Sequence, residues 1–209
     1  MKKKRSTSMT NIAILASGNG SNFQAIAASV KKGFLKRTVL KLLITDKEKA
    51  YVRTRAKRLG VKQMYVNPKE YKSASVFDKK LIQILKKEKI DLVVLAGYMR
   101  ILKPVFIKAF KSKIVNIHPA LLPAFKGACA ISDAYSYGVK VTGVTVHFVD
   151  EFIDHGPIIV QKSLPIRKGE SLQSLEARIH RLEHKLYPDV IKKIVERKVT
   201  IRNRYVQIN

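Results

Sequence analysis

The sequence predicts an α/β fold: a single doubly wound, mostly parallel sheet with an antiparallel edge and a long C-terminal helix. Through the first half, short apolar runs alternate with helix-like segments, the βαβαβ rhythm of parallel strands joined by crossover helices. Several runs, "DLVVLA" (91–96) most clearly, are apolar on both faces, as strands covered by helices on both sides must be. Beyond residue 137 the rhythm gives way to two β-rich runs and then to one long amphipathic stretch.

Each element follows in order. "NIAILA" (11–16) is the first strand; it breaks into "SGNGSN", after which Ser21 to Lys32 reads as a helix. "VLKLLIT" (39–45) leads to a helix from Lys47 to Leu59, and "VKQMYV" (61–66) to one from Ser75 to Lys87. "DLVVLA" leads to a helix from Lys103 to Phe110, and "KIVNI" (113–117) is the fifth strand, its ladder ended by Pro119. Within "GVKVTGVTVHFVDEFIDHGPIIVQKSLPI" (138–166), two β-rich runs joined by a loop predict an antiparallel pair at the sheet edge. From Ser171 to about Arg197 a helix is expected, with Leu172, Leu175, Ile179, Leu182 and Leu186 facing one way. Pro188 should kink or divide it. The tail "VTIRNRYVQI" (199–208) adds a last strand. With no internal repeat or linker, the predicted organisation is a flexible basic start, 1–10, and one domain, 11–209.

Composition narrows the function. At 209 residues and 46% hydrophobic content the chain suffices for one sizeable core. The single cysteine, Cys129, makes neither an internal disulfide nor a Cys-rich metal site, which points to a reducing compartment, the cytoplasm. No apolar stretch approaches the roughly 18–20 residues of a membrane span, and "MKKKRSTSMTNIAILASGNGSN" breaks before a signal peptide is complete. The formal charge of +27 attracts polyanions, from nucleic acids to phosphorylated metabolites. Its lysines, however, are spread from end to end, with no arginine-rich cluster interleaved with aromatics and no tryptophan. Specific nucleic-acid binding is therefore not expected.

Open α/β sheets gather ligands at the carboxyl ends of their strands, which places "SGNGSN", "AGYMRIL" and "NIHPALLP" on one rim. Gly18 and Gly20 allow a tight turn, and backbone N–H groups with Ser21 and Asn22 can hold a phosphate. Phe23 stands where a dinucleotide fingerprint has its third glycine, and a plain structural turn with a helix cap is the alternative. Met99, Arg100 and the backbone around Ile101 and Leu102 can line a cleft, unless Arg100 is a solvated strand end. Asn116 and His118, two apart on a strand, share a face. The acidic loop "VDEFIDHGPI" supplies Asp150, Glu151 and Asp154. A carboxylate beside an imidazole orients it and favours its charged form, and Asn116 adds a second donor to a developing oxyanion. Asn116, His118 and Asp154 can thus form an acyl-transfer site without a covalent nucleophile, the alternative being a structural histidine at a strand end. Cys129 reads as a packed or incidental thiol. His180, Glu183 and His184 could bind a metal, but no other ligand cluster supports one.

With "SGNGSNFQAI", "LAGYMRIL", "NIHPALLPAFKG", "GVTVHFVDEFIDHGPIIVQ" and "RIHRLEHKLYP" in this order, the chain resembles the phosphoribosylglycinamide formyltransferases from about residue 11 to 197. "NIHPALLP" alone is shared with methionyl-tRNA formyltransferase and formyltetrahydrofolate hydrolase; "SGNGSN" with "LEHKLYP" selects the first family. The resemblance implies the Rossmann-like formyltransferase fold and transfer of a formyl group from 10-formyltetrahydrofolate to the amine of 5-phosphoribosylglycinamide in purine synthesis. It replaces the metal reading of the last helix, so no metal is expected, and the short apolar runs give no expectation of a membrane. Carried over residue by residue, it makes Asn116, His118 and Asp154 catalytic. Gly20, Ser21 and Asn22 then form the substrate-phosphate loop, and His180, Arg181, Leu182 and Glu183 a second substrate segment, with Glu183 at the glycinamide end. Met99, Arg100, Ile101 and Leu102, with Asp150, Glu151, Phe152, Ile153 and Asp154, contact the folate, as does Asn116. Ala74 stands where some members carry a basic folate contact, and Lys72 is the nearest substitute. Lys126, Ala128 and Cys129 also depart from the family pattern. A methionyl-tRNA enzyme would need a C-terminal tRNA-binding domain where about a dozen residues remain, and the hydrolase an N-terminal regulatory domain.

Overall fold

The computed structural model describes residues 9–208. Most of the basic start lies outside these residues, and Thr10 already belongs to the first strand. In chain order the sheet strands are β1 (Thr10–Leu15), β2 (Thr38–Thr45), β3 (Gln63–Tyr65), β4 (Leu92–Leu95), β5 (Ile114–His118), β6 (Val141–Phe148) and β7 (Ile158–Pro165). They form one sheet in the order β3-β2-β1-β4-β5-β6-β7. β1 to β5 pair in parallel, β6 runs antiparallel to β5, and β7 antiparallel to β6, as expected for the edge. The chain leaves β1 in one direction and returns to β4 on its other side, so the crevice where ligands gather opens between the carboxyl ends of these two strands.

The helices are α1 (Ser21–Lys31), α2 (Tyr51–Arg58), α3 (Ala74–Lys87), α4 (Pro104–Ala109), α5 (Ala130–Tyr137) and α6 (Leu172–Val195). Alternation along β1 divides the core. Ile12 and Ile14 face a cluster with Phe23, Ile26, Ile179 and Tyr187, whereas Ala13 and Leu15 face one with Phe77, Leu81 and Phe106. Both faces of the sheet are thus covered, which explains strands apolar on both sides.

Four expectations are corrected. α2 starts at Tyr51, not Lys47, because Asp46 is withdrawn into the interior, where it accepts a 2.6 Å hydrogen bond from Ser17 Oγ. α5 was not expected at all; it buries only Ala130 and Ala134 and ends on Gly138 in the left-handed region. α6 is capped by Ser171, whose hydroxyl accepts from Ser174 N, and it runs unbroken through Pro188. Pro188 removes the bond to the His184 carbonyl, yet burial of Leu186, Tyr187, Pro188, Val190 and Ile191 holds the helix in register. The packed stripe also contains Glu183, with Leu172 and Leu182 only half-buried at its flank. Finally, the tail is not one more strand of the main sheet. It is a separate hairpin of β8 (Val199–Arg202) and β9 (Tyr205–Ile208).

Tyr187 ties α6 to the strands beneath the site. Its buried hydroxyl lies 2.8 Å from the Leu95 carbonyl and 3.0 Å from that of Val115, the residue before Asn116. Tyr187→Phe keeps the ring and leaves both carbonyls without that donor. A loss of about 1–2 kcal/mol is expected, read as a lower urea midpoint at unchanged slope.

Candidate active site

Two loops of the rim are clasped together by Ser17. Its N–H donates to Gly97 O at 2.9 Å, and its hydroxyl accepts from Met99 N at 2.9 Å while donating to Asp46. The end of β1 and the "AGYMRIL" segment are therefore set relative to one another by one small side chain.

The glycine-rich turn is built on Gly20, the N-cap of α1, whose φ is 78°. A Cβ there would lie 2.3 Å from Val52 Cγ2 and 3.0 Å from Val52 Cα, so conformation and packing both demand glycine. Gly18 differs, with an ordinary φ and nothing within 4 Å of a would-be Cβ. Behind the turn, Arg55 donates to Asn19 O at 2.9 Å, to Asn19 Oδ1 at 2.6 Å, and to Gln24 Oε1. No acidic residue stands in the first turn of α1, whose free N–H groups and positive dipole end suit an anion.

From that turn Asn22 reaches α6, where its Nδ2 donates to Glu183 Oε2 at 3.0 Å. His180 Nδ1 donates to the same oxygen at 2.9 Å. Glu183 is 3% exposed, so a carboxylate sits in an otherwise apolar stripe because it has these two donors. Asn22 Oδ1 and His184 Nε2 are buried beside this network without partners among the described residues. Arg181 is exposed and Leu182 packs on the core, so the structure brings His180 and Glu183 to Asn22 but not the two residues between them.

The two histidines of this segment should titrate apart. The hydrogen bond to Glu183 raises His180 above 6.5, whereas burial lowers His184 below it. A value raised in the folded state means that His180 stabilises the fold at pH below its unfolded value, a contribution lost as pH rises through the folded one. Imidazole NMR titration should show this order, and Glu183→Gln should bring His180 back down. Identical midpoints would refute it.

Asn116 and His118 lie on one face at the end of β5, as their spacing predicts, and Asp154 meets both. Its Oδ2 is 3.3 Å from His118 Nδ1 and accepts from Gly127 N at 2.8 Å; its Oδ1 is 3.5 Å from Asn116 Nδ2. His118 is 3% exposed, and its Nε2 donates to Phe125 O at 2.7 Å. Both ring nitrogens therefore face acceptors, a setting in which an imidazole can carry two N–H donors. Thr145 and Gln161 fix the turn that follows. Thr145 Oγ1 donates to Ala120 O and accepts from Leu122 N, while Gln161 Nε2 donates to Leu122 O at 2.8 Å.

One residue of this centre escaped sequence reasoning. His147 stands opposite Asn116 in the β5–β6 register, and its Nε2 accepts from Asn116 Nδ2 at 3.2 Å. Its Nδ1 donates to Phe148 O at 2.8 Å, and burial lowers its pKa, so the ring is neutral and serves as an acceptor. It aims the Asn116 amide nitrogen. Arg55 was missed as well, since its action on Asn19 crosses 36 positions of sequence.

The Asp150–Asp154 loop is held at both ends. Asp150 accepts from Phe152 N and His155 Nδ1, and Asp154 has φ 46°. Exposed apolar side chains stand on both segments predicted for folate: Met99 and Ile101 on one, Phe152 and Ile153 on the other. Glu151 is exposed beside them. Arg100 lies over the Phe77 ring at 4.9 Å, and Leu102 is buried in the core. Lys72 is exposed on the segment before α3. Among the described residues no group of three or more His, Cys, Asp or Glu side chains is placed to hold a metal, and no helix is long and apolar enough to cross a membrane.

The chain matches the formyl transferase family over residues 10–191. Phosphoribosylglycinamide formyltransferase of Bacillus subtilis (strain 168) is 44% identical over 187 residues, which are 90% of this chain and 95% of that protein. The trifunctional purine biosynthetic protein adenosine-3 of Gallus gallus is 36% identical over 198 residues, 95% of this chain, which spans only 20% of that relative's length. Among solved structures, glycinamide ribonucleotide transformylase 1 from Symbiobacterium toebii has a TM-score of 0.93 at 41% identity, covering 96% of this chain and 94% of that one. The corresponding protein from Geobacillus kaustophilus has a TM-score of 0.87 at 47% identity, covering 90% and 99%. The chain therefore belongs to the formyl transferase family, among its phosphoribosylglycinamide formyltransferases.

Proposed function

We infer that Asn116, His118 and Asp154 carry the transfer of a formyl group from 10-formyltetrahydrofolate to the primary amine of 5-phosphoribosylglycinamide. The reaction class follows from the family: the chain is a folate-dependent formyl transferase of purine biosynthesis. The observation that carries the residue assignment is the convergence of Asn116 Nδ2 and the His118 ring on Asp154, at the end of β5 and on the rim that bears the Gly20 turn.

In this reading the anion site at Gly20, Ser21 and Asn22 holds the substrate phosphate, and Glu183 with His180 orients the glycinamide end. The amine attacks the formyl carbon, forming a C–N bond while the carbonyl electrons move to oxygen. Asn116 Nδ2–H and His118 Nε2–H donate to that oxygen, which displaces Phe125 O as acceptor. Collapse breaks the bond to the folate nitrogen, and the amine's proton passes to that nitrogen through a water held by Asp154. Met99, Ile101 and the Asp150–Asp154 loop supply the apolar and polar walls for the donor, a co-substrate consumed in each turnover. The reaction is assigned to the cytoplasm, in keeping with the single cysteine. Specific nucleic-acid binding forms no part of it.

The test is release of folate product from 10-formyltetrahydrofolate with and without 5-phosphoribosylglycinamide. Turnover that requires the amine is expected. Amine-independent release would assign a hydrolase, and transfer to methionyl-tRNA in place of the ribonucleotide would assign the other acceptor.

A further inference from the structure

We propose that Arg204, on the C-terminal hairpin, is a positioning residue for the formyl donor, acting through His155 on the loop that carries Asp150 and Asp154. This rests on the function proposed above for that loop. The hairpin lies beyond residue 191, where the family match ends. It is nonetheless built into the molecule: Val199, Ile201 and Val206 pack against the main core, and β9 packs on β7.

The guanidinium of Arg204 meets the loop twice. Nη2 donates to His155 O at 2.8 Å, and Nη1 lies 3.3 Å from His155 Nε2. A guanidinium can only donate, so Nε2 is the acceptor and the ring proton sits on Nδ1. That proton is donated to Asp150 Oδ2 at 2.7 Å, and Asp150 Oδ1 accepts from Phe152 N at 3.1 Å. One tautomer thus completes an unbroken chain from Arg204 through His155 to Asp150 and Phe152, two residues of the segment assigned to the folate. Asp154 lies between the two ends of this chain, next to His155.

Arg204 also lines a cavity of about 840 Å³. Val105 and Ile107 of α4, Ile201 of the hairpin, and Asp150 and Glu151 of the loop line it as well. Without the fork of Arg204, the loop would lose its only described side-chain tie to the hairpin, and the entropy of ordering it would fall on the donor as it binds. The fork therefore sets donor affinity and leaves the phosphate side, on α1 and α6, untouched.

The experiment compares Arg204→Ala, Arg204→Lys, His155→Ala and the Arg204→Ala/His155→Ala double variant with the wild-type chain. KM for both substrates, kcat and thermal midpoint are measured for each. The KM for 10-formyltetrahydrofolate is expected to rise about fivefold in Arg204→Ala, the scale of one partly exposed charge-assisted hydrogen bond. Arg204→Lys should do nearly the same, because an ammonium cannot reproduce a two-pronged contact. The KM for 5-phosphoribosylglycinamide and kcat should stay within about twofold, and the double variant should be no worse than the worse single, since both break one chain. An unchanged donor KM, equal rises in both KM values that follow a lowered thermal midpoint, or additive effects in the double variant would each overturn the positioning role. A wild-type chain that transfers no formyl group to the amine would overturn the proposed function itself, and this inference with it.

Discussion

His118→Ala and Asp154→Ala are each expected to lower kcat by about 10²–10⁴-fold, with the Kd for 5-phosphoribosylglycinamide changed no more than about threefold. The separation follows from where the groups stand. His118 and Asp154 belong to the end of β5 and the loop after β6, while the Gly20 turn and Glu183 belong to α1 and α6, tied to each other through Asn22. Removing the imidazole takes away a donor that strengthens only as charge develops on the formyl oxygen, a loss felt in the transition state and hardly in the ground state. The fold should survive, because Asp154 keeps its bond from Gly127 N when His118 is shortened. Asp154→Asn is the milder companion: its amide retains an oxygen for Gly127 but no carboxylate for the ring. Steady-state kinetics paired with calorimetric titration of the ribonucleotide decide the matter. Equal losses in kcat and in phosphate-substrate affinity would show that these residues hold substrate and do no chemistry.

The parts of this molecule that could be read from the sequence are those where burial and local pattern agree. Ala13 and Ile14 point to opposite faces and are both fully buried, so "NIAILA" and "DLVVLA" could only be strands covered on both sides. The i, i+2 spacing of Asn116 and His118 fixed a shared face once β5 was recognised, and Pro119 marked its end. What could not be read was set by partners distant in sequence. His147 becomes the acceptor for Asn116 through the antiparallel register of β5 with β6, which no local pattern around "TVHFV" records. Asp46 shortens α2 because Ser17, 29 positions earlier, offers it a buried donor. α5 has too few buried apolar side chains to show a helical period, and its clearest local mark is the glycine that stops it. Pro188 misled because its local cost is real, but packing of the residues around it outweighs one lost hydrogen bond. Even at Gly20 the sequence suggested a turn without revealing the Val52 side chain that excludes any other residue.

Gly156→Ala is expected to lose nearly as much turnover as Asp154→Ala, about 10²-fold or more, although Gly156 has no contact with any reacting group. Its added Cβ would lie 1.9 Å from Phe148 O, 2.8 Å from the carbon of that carbonyl and 3.1 Å from Asp150 N. All three are backbone atoms, so no rotamer change relieves the overlap, and the loop must lift from the end of β6. At that point Phe148 N also donates to Pro157 O at 2.9 Å, which closes the base of the loop. Asp154 is two residues from the hinge, and its contacts with His118 at 3.3 Å and Gly127 N at 2.8 Å leave little room for displacement. Forcing the hinge open costs about 1–3 kcal/mol of stability, as overpacking elsewhere does, but a misplaced carboxylate costs more in rate than in stability. Gly18→Ala is the contrasting variant: with open space around its Cβ position and an ordinary φ, it should leave the thermal midpoint unchanged. Circular dichroism melts and kcat for both variants separate the two effects. A Gly156→Ala protein that folds and turns over at the wild-type rate would mean that the loop has slack at its base, and that the position of Asp154 is governed from Gly127 and His118 alone.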